Sequence, residues 1–97
     1  MVTETRKILR EAEAGLQEKG DVVIQLKPES VGSGIQLDID SKVMALFGDQ
    51  IRASVLEEIA VYGLTDLSVS VTDGGALDYA IRARVQTAIE RAIREEQ

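Results

Sequence analysis

Asp38 and Asp40 stand two residues apart with Ser41 directly after them, the spacing of half a hard-cation site. Such ions want six to eight oxygen ligands, and no further ligand cluster completes the set, so a solvated strand edge is the expected reading. Gly74-Gly75, placed just before a helical stretch, could cradle an anion on backbone amides. Asp73 and Asp78 flank the pair and no basic residue adjoins it, which favours a capping turn. Arg82 and Arg84, in the block Ile81-Arg82-Ala83-Arg84, offer two cations for a larger partner. The pairs Asp78–Arg82 and Glu90–Arg94 have i, i+4 spacing, which supports the plainer alternative of a paired, solvated helix face. The chain contains neither histidine nor cysteine. The usual general base at neutral pH, the thiolate metal site and the catalytic thiol are therefore all missing, so neither a self-contained hydrolase nor a zinc site is expected.

The elements that must position these residues follow from periodicity. Thr3 to Gln17 is rich in Glu, Arg, Ala and Leu, and Ile8, Leu9, Ala12 and Leu16 fall near helical spacing, which predicts an N-terminal helical extension over 1–17. Val22 to Leu26 is mostly β-branched and runs into the only proline, Pro28, which cannot donate to a ladder. After a turn containing Ser30, Gly32, Ser33 and Gly34, Ile35 to Asp40 alternates apolar and polar residues. The two segments are expected to pair as an antiparallel hairpin with Ile35, Leu37 and Ile39 facing in.

Ser41 caps a first helical turn, Gly48 interrupts it, and Asp49 caps a longer helix from Gln50 to Tyr62 that Gly63 ends. Leu67 to Val71 alternates again as a third strand. Leu77, Ile81, Val85, Ala88, Ile89 and Ala92 line a last helix reaching about Ile93. The expectation is a single α+β domain over 1–97, in the order αββαβα. It would be a two-layer sandwich with a three-stranded, mainly antiparallel sheet packed against two helices.

Ninety-seven residues bury roughly 60–65% of the unfolded chain's surface. A net charge of −6 with 3% aromatic residues argues against nucleic acid, which needs cations for phosphates and rings for stacking. Met1 to Arg10 has no apolar core of a secretory signal, and no apolar run approaches the length of a membrane helix. No metal or membrane partner is expected, and a cytoplasmic setting is.

Three blocks stand in order along the chain: Ala14-Gly15-Leu16-Gln17-Glu18-Lys19-Gly20-Asp21 followed by Val22; Phe47-Gly48-Asp49-Gln50-Ile51-Arg52; and Asp73-Gly74-Gly75-Ala76-Leu77-Asp78 leading into Ile81-Arg82-Ala83-Arg84. They are similar, in turn, to the patterns A-G-x-L-E-S-G-D-V, F-G-D-x-I-R, and D-x-G-A-L-D followed by L-R-A-R. In these blocks the chain resembles the acyl carrier (gamma) subunit of citrate lyase, with malonate decarboxylase carriers as more distant relatives.

The resemblance implies a non-catalytic carrier subunit of a citrate (pro-3S)-lyase-type complex with alpha and beta catalytic partners. It implies a phosphoribosyl-dephospho-coenzyme A arm on a serine, bearing acetyl and citryl groups as thioesters, and it lets Arg82 and Arg84 contact that arm. The serine's place is Lys19, followed by Gly20 and Asp21, with Asp21 able to fix the turn through backbone amides. A serine hydroxyl forms a stable phosphodiester, whereas a lysine amine is protonated near neutral pH and would form an acid-labile phosphoramidate. Three readings stay open. The chain is an arm-free structural or regulatory subunit that docks on lyase-like partners, or the arm sits on Ser30 or Ser33, the only exposed hydroxyls expected near position 19 and ordinary turn serines in the plainer reading, or Lys19 is an introduced substitution that gives a permanently unmodified form.

Overall fold

A computed structural model describes residues 6–94. Its elements are β1 (Ala12–Gly15), β2 (Val22–Pro28), β3 (Ile35–Ser41), α1 (Met44–Val61), β4 (Leu67–Asp73) and α2 (Asp78–Ile93). One four-stranded sheet has the order β1-β2-β4-β3. β1 with β2 and β2 with β4 are antiparallel, while β3 and β4 run parallel. Both helices cover one face, α2 over β1 and β2 and α1 over β3. The α+β class, the single sheet and the two covering helices are as expected from the sequence.

Three expectations are overturned. Ala12–Gly15 is a strand, not part of a helix, so the sheet has four strands rather than three and the order is βββαβα rather than αββαβα. Before this strand, the Arg6 amide donates to the Gly63 carbonyl at 2.7 Å and the Leu9 amide to the Ala92 carbonyl at 2.8 Å. The physical reason lies in β2, whose edge amides and carbonyls need a partner, and tertiary pairing outweighs a thin helical stripe. Gly15, at φ 107°, seals the choice: a Cβ there would sit 1.8 Å from the Val22 carbonyl oxygen, an approach only glycine allows. The part of the expected helix that falls on residues 1–5 lies outside the described residues.

Nor do β2 and β3 form a hairpin. The 29–34 loop carries the chain past the start of β4, and β3 joins the far side of β4 through the right length of crossover for parallel pairing, with α1 as the connection. Asp66 holds that loop. Its carboxylate accepts from the Gly32 and Gly34 amides at 3.1 and 3.0 Å, and its carbonyl accepts from the Glu29 amide at 2.9 Å. β4 takes the centre because Leu67, Val69 and Val71 are its inward residues and all are buried. β3 is left at the edge, so Leu37 and Ile39 are half-buried and Ile35 is exposed. Finally, α1 is continuous through buried Gly48 rather than interrupted there, and no side chain caps it.

The core joins Val22, Ile24 and Leu26 of β2 to the buried residues of β4, to Ile51, Val55 and Ile59 of α1, and to Ile81, Val85, Ala88, Ile89 and Ala92 of α2. Each large aliphatic side chain withdrawn from water contributes about 1.5–3 kcal/mol. Gly63, at φ 67°, closes α1 as expected, its amide bonded to the Ala60 carbonyl at 3.0 Å. The opposite face of the sheet is polar, with Glu13, Gln25, Ser70 and Asp38 in one cross-strand row.

Candidate functional site

The antiparallel pairing of β2 with β4, and the parallel pairing of β3 with β4, bring one set of connections to the same end of the sheet. Residues 16–21 join β1 to β2, residues 42–43 lead from β3 into α1, and residues 74–77 lead from β4 into α2. Lys19 lies at the apex of the first of these, exposed, and among the described residues no hydrogen bond or ion pair engages it. Gly20 follows at φ 83°, a left-handed conformation that turns the chain back toward β2.

The base of this turn is built tightly. The Gly20 amide donates to the Gly74 carbonyl at 2.9 Å and the Gly74 amide donates back to the Asp21 carbonyl at 2.8 Å, while the Asp21 amide reaches the Glu18 carbonyl at 3.1 Å. Gly74 is required by contact: a Cβ there would lie 2.5 Å from the Glu18 carbonyl oxygen and 3.1 Å from that of Asp21. Asp21 fixes the turn in two ways. Its carboxylate accepts from the Val22 amide at 2.7 Å, and it forms a two-point ion pair with Arg84 on α2, at 3.2 Å from Nε and 2.7 Å from Nη2. Arg84, and then the Val22 amide, hold the Asp21 carboxyl below the ordinary carboxylate range.

Neighbouring groups divide into scaffolding and surface. Asp73 is buried, and its carboxylate accepts from the Gly75 and Ala76 amides at 3.1 and 2.9 Å and from the Ser41 hydroxyl at 2.7 Å. The amides of the Gly74-Gly75 turn are therefore already satisfied within the fold, but no side chain caps α2, whose N-cap is Leu77. Arg82 is bonded to Asp78 at 2.8 Å, Glu57 at 2.9 Å and Glu58 at 3.0 Å, and Ser54 donates to Asp78, so this arginine ties α1 to α2. The expected Asp78–Arg82 pair is present, and both arginines of the Ile81–Arg84 block are spent inside the fold.

Around Lys19 lies a shallow groove lined by Glu18, Asp21, Tyr79, Ala83, Arg84 and Thr87. Next to the helix starts, a cavity of about 230 Å³ is lined mainly by Val43, Phe47, Ile51, Ala76, Leu77 and Ile81. Met44, Leu46, Phe47, Leu77 and Tyr79, in or near the first turns of the two helices, are exposed, Leu46 at 80%.

Other sequence candidates lie elsewhere. Ser30 and Ser33 are at the opposite end of the sheet, roughly 20 Å away by the rise along the seven residues of β2. The expectation that they are near position 19 is thereby corrected. The Ser33 hydroxyl donates to the Ser30 carbonyl at 2.7 Å. The hydroxyls that do share the Lys19 groove belong to Tyr79 and to Thr87, and the Thr87 hydroxyl donates to the Ala83 carbonyl at 3.0 Å. Asp38 and Asp40 are exposed on edge strand β3, and among the described residues no three His, Cys, Asp or Glu side chains gather as a metal site. Among those residues no helix is long and apolar enough to cross a membrane. The Asp21–Arg84 and Gly20–Gly74 contacts were missed from sequence, because nothing in local spacing signals pairing across 63 and 54 positions.

With the geometry in place, comparison with known proteins is informative. The family model described as Malonate decarboxylase delta subunit (MdcD) matches residues 9–92. A citrate lyase acyl carrier protein of Halothermothrix orenii is 40% identical over 86 residues, covering 89% of this chain and 89% of that protein. The protein of the same name from Yersinia enterocolitica is 43% identical over 86 residues, 89% of this chain and 88% of that one. Among solved structures, a chain of a Pseudomonas malonate decarboxylase hetero-tetramer in complex with malonate has a TM-score of 0.68 at 18% identity, covering 93% of this chain and 92% of that chain. That likeness establishes the shared fold.

Proposed function

The chain belongs to the acyl carrier family that includes citrate lyase acyl carrier proteins and malonate decarboxylase delta subunits, and from that premise we propose that it serves as the non-catalytic carrier subunit of a cytoplasmic lyase complex. Its larger partners would be catalytic subunits of the citrate lyase alpha and beta type, and the whole of 1–97 would act as one carrier domain.

The observation that carries this reading is the Lys19 turn. A carrier needs no acid or base of its own; it needs one exposed position held at a fixed place where other subunits can reach it. Here the apex is exposed while its base is locked by the reciprocal Gly20–Gly74 bonds and the Asp21–Arg84 pair. The apolar surface around Leu46, Phe47 and Leu77 lies at the same end. A catalytic subunit seated there would meet the apex directly.

The family's phosphodiester-linked arm does not fit the residues present. Position 19 offers an amine, and the Ser41 hydroxyl is engaged by Asp73 and by the Val43 amide, at 2.7 and 3.1 Å. This favours a second reading, an arm-free subunit that docks on the same partners. Both are decided by purifying the complex through a tag on this chain from the organism that makes it. The carrier reading expects catalytic subunits to co-purify and thioester cleavage to vanish when the chain is stripped away. Co-purification with undiminished cleavage in its absence leaves the arm-free reading; failure to co-purify removes both.

A further inference from the structure

We propose that Lys19 is itself a prosthetic-group attachment site, joined through an amide to a thiol-bearing carboxylic acid. The proposal rests on the carrier reading and concerns how that carrier is loaded. Two independent observations lead to it. The first is what the chain lacks: with no cysteine in its 97 residues, any acyl group carried as a thioester must ride on sulfur supplied from outside. The second is what stands at the apex, a primary amine, exposed and without a hydrogen bond or ion pair among the described residues.

Other lysines are less well placed. Lys7 is paired with Asp66 at 3.7 Å, and Lys27 lies within β2 on the open polar face of the sheet. Lys42 occupies the two-residue link between β3 and α1. Lys19 alone tops a turn whose two flanks are fixed, by Gly20 on the Gly74 carbonyl and by Asp21 on Arg84. An enzyme that modifies it meets a preformed target, with the ordering of the turn already done by the fold. No Cβ placed at Gly20 would meet a heavy atom within 4 Å, so the space beside the apex is open to that enzyme.

The chemistry follows from the amine. Deprotonated by the modifying enzyme, the Lys19 Nζ attacks the carbonyl carbon of a carboxylic acid activated as an acyl phosphate ester of a nucleotide. A C–N bond forms and the acyl C–O bond breaks. The nucleotide monophosphate leaves with the electron pair, and the second amine proton passes to a base of the modifying enzyme and then to water. No oxidant or reductant is needed. The amide is stable to acid, as a phosphoramidate at the same nitrogen is not.

The test uses the chain purified from the organism that makes it, studied by intact mass, peptide mapping and iodoacetamide labelling. One added mass on Lys19 is expected, retained after acid and hydroxylamine treatment. Thiol labelling, which the bare polypeptide cannot give, is expected after reduction, and K19R should lose both the mass and the label with its urea midpoint unchanged. A bare Lys19, an acid-labile adduct, or an adduct on Lys42, Tyr79, Ser30 or Ser33 overturns the proposal. If a thiol-bearing adduct sits on another residue while the partner subunits co-purify and depend on the chain, attachment at Lys19 fails and the carrier reading stands; if the chain is bare yet they co-purify, only the arm-free reading is left. If they do not co-purify, the carrier reading itself has failed.

Discussion

Substituting Gly74 by Ala tests whether the Lys19 turn is held as described. Gly74 is not in the left-handed region, so alanine carries no backbone penalty there, and the effect comes from contact alone. The new methyl would sit 2.5 Å from the Glu18 carbonyl oxygen, and neither that oxygen nor the Asp21 oxygen at 3.1 Å belongs to a flexible side chain. The two connections must separate, which breaks the reciprocal bonds at 2.9 and 2.8 Å. At about 0.5–1.5 kcal/mol each, their loss costs roughly 1–3 kcal/mol, and Tm falls by about 4–8 °C per kcal/mol in a domain of this size.

Stability alone does not prove the point, because Gly75→Ala serves as the control. Gly75 has φ 98° and open space around it, so alanine there costs on the order of 1–3 kcal/mol in backbone strain while leaving the loop contact intact. Amide hydrogen exchange separates the two. In Gly74→Ala the Gly20 amide should exchange roughly 5- to 150-fold faster through local opening, whereas in Gly75→Ala any acceleration should follow only the global loss of stability. A Gly74→Ala protein with wild-type exchange at Gly20 and an unchanged urea midpoint would refute the contact.

The remaining predictions are shorter. Asp21 is held below the ordinary carboxylate range chiefly by Arg84, Asp66 by the Gly34 amide, and Asp78 by the Ser54 hydroxyl. Their folded values lie below the unfolded ones, so their stabilisation is complete above the usual carboxylate range, near pH 4, and is lost as pH falls below it. Urea midpoints should be flat from about pH 5 to 8 and decline below about pH 4, with part of that decline absent in Asp21→Asn; a main decline above pH 5 contradicts the assignment. Leu46→Asp, at a position 80% exposed, should weaken capture of the catalytic subunits while changing stability by less than about 0.5 kcal/mol, read by pull-down and urea titration together. Lys19→Ser restores a hydroxyl at the apex. When produced with the enzymes that load citrate lyase carriers, it should gain a phosphodiester-linked mass that the natural chain does not take from them, and equal loading of both proteins would count against the argument from amine chemistry.

Much of the fold was legible because its elements obey one period each. The stripe Ile81, Val85, Ala88, Ile89 and Ala92 reads as a helix face, and Leu67, Val69 and Val71 read as one face of a strand; all eight are buried. Pairing was not legible. Three strands carry similar alternation, and nothing within them states which neighbours which; that choice is made by the 29–34 loop and by Asp66, which holds it from a distant part of the chain. β1 was misread because Ala and Glu favour helices locally, while the deciding interaction is Gly15 against Val22 across a turn. At the site, the identity and exposure of Lys19 could be inferred from its block, but its anchoring by Arg84 could not.

The position of β4 has a consequence for how the molecule comes into being. This central strand is made after both of its neighbours, so as the chain emerges from the ribosome β2 and β3 wait unpaired with each other until residues 67–73 appear. The clamps on the Lys19 turn arrive later still, at Gly74 and Arg84. An unfinished or truncated chain can display the amino acids Glu18-Lys19-Gly20-Asp21 but not their fixed shape. An enzyme that reads the shape would therefore act on Lys19 only once the chain as far as Arg84 has been made and folded.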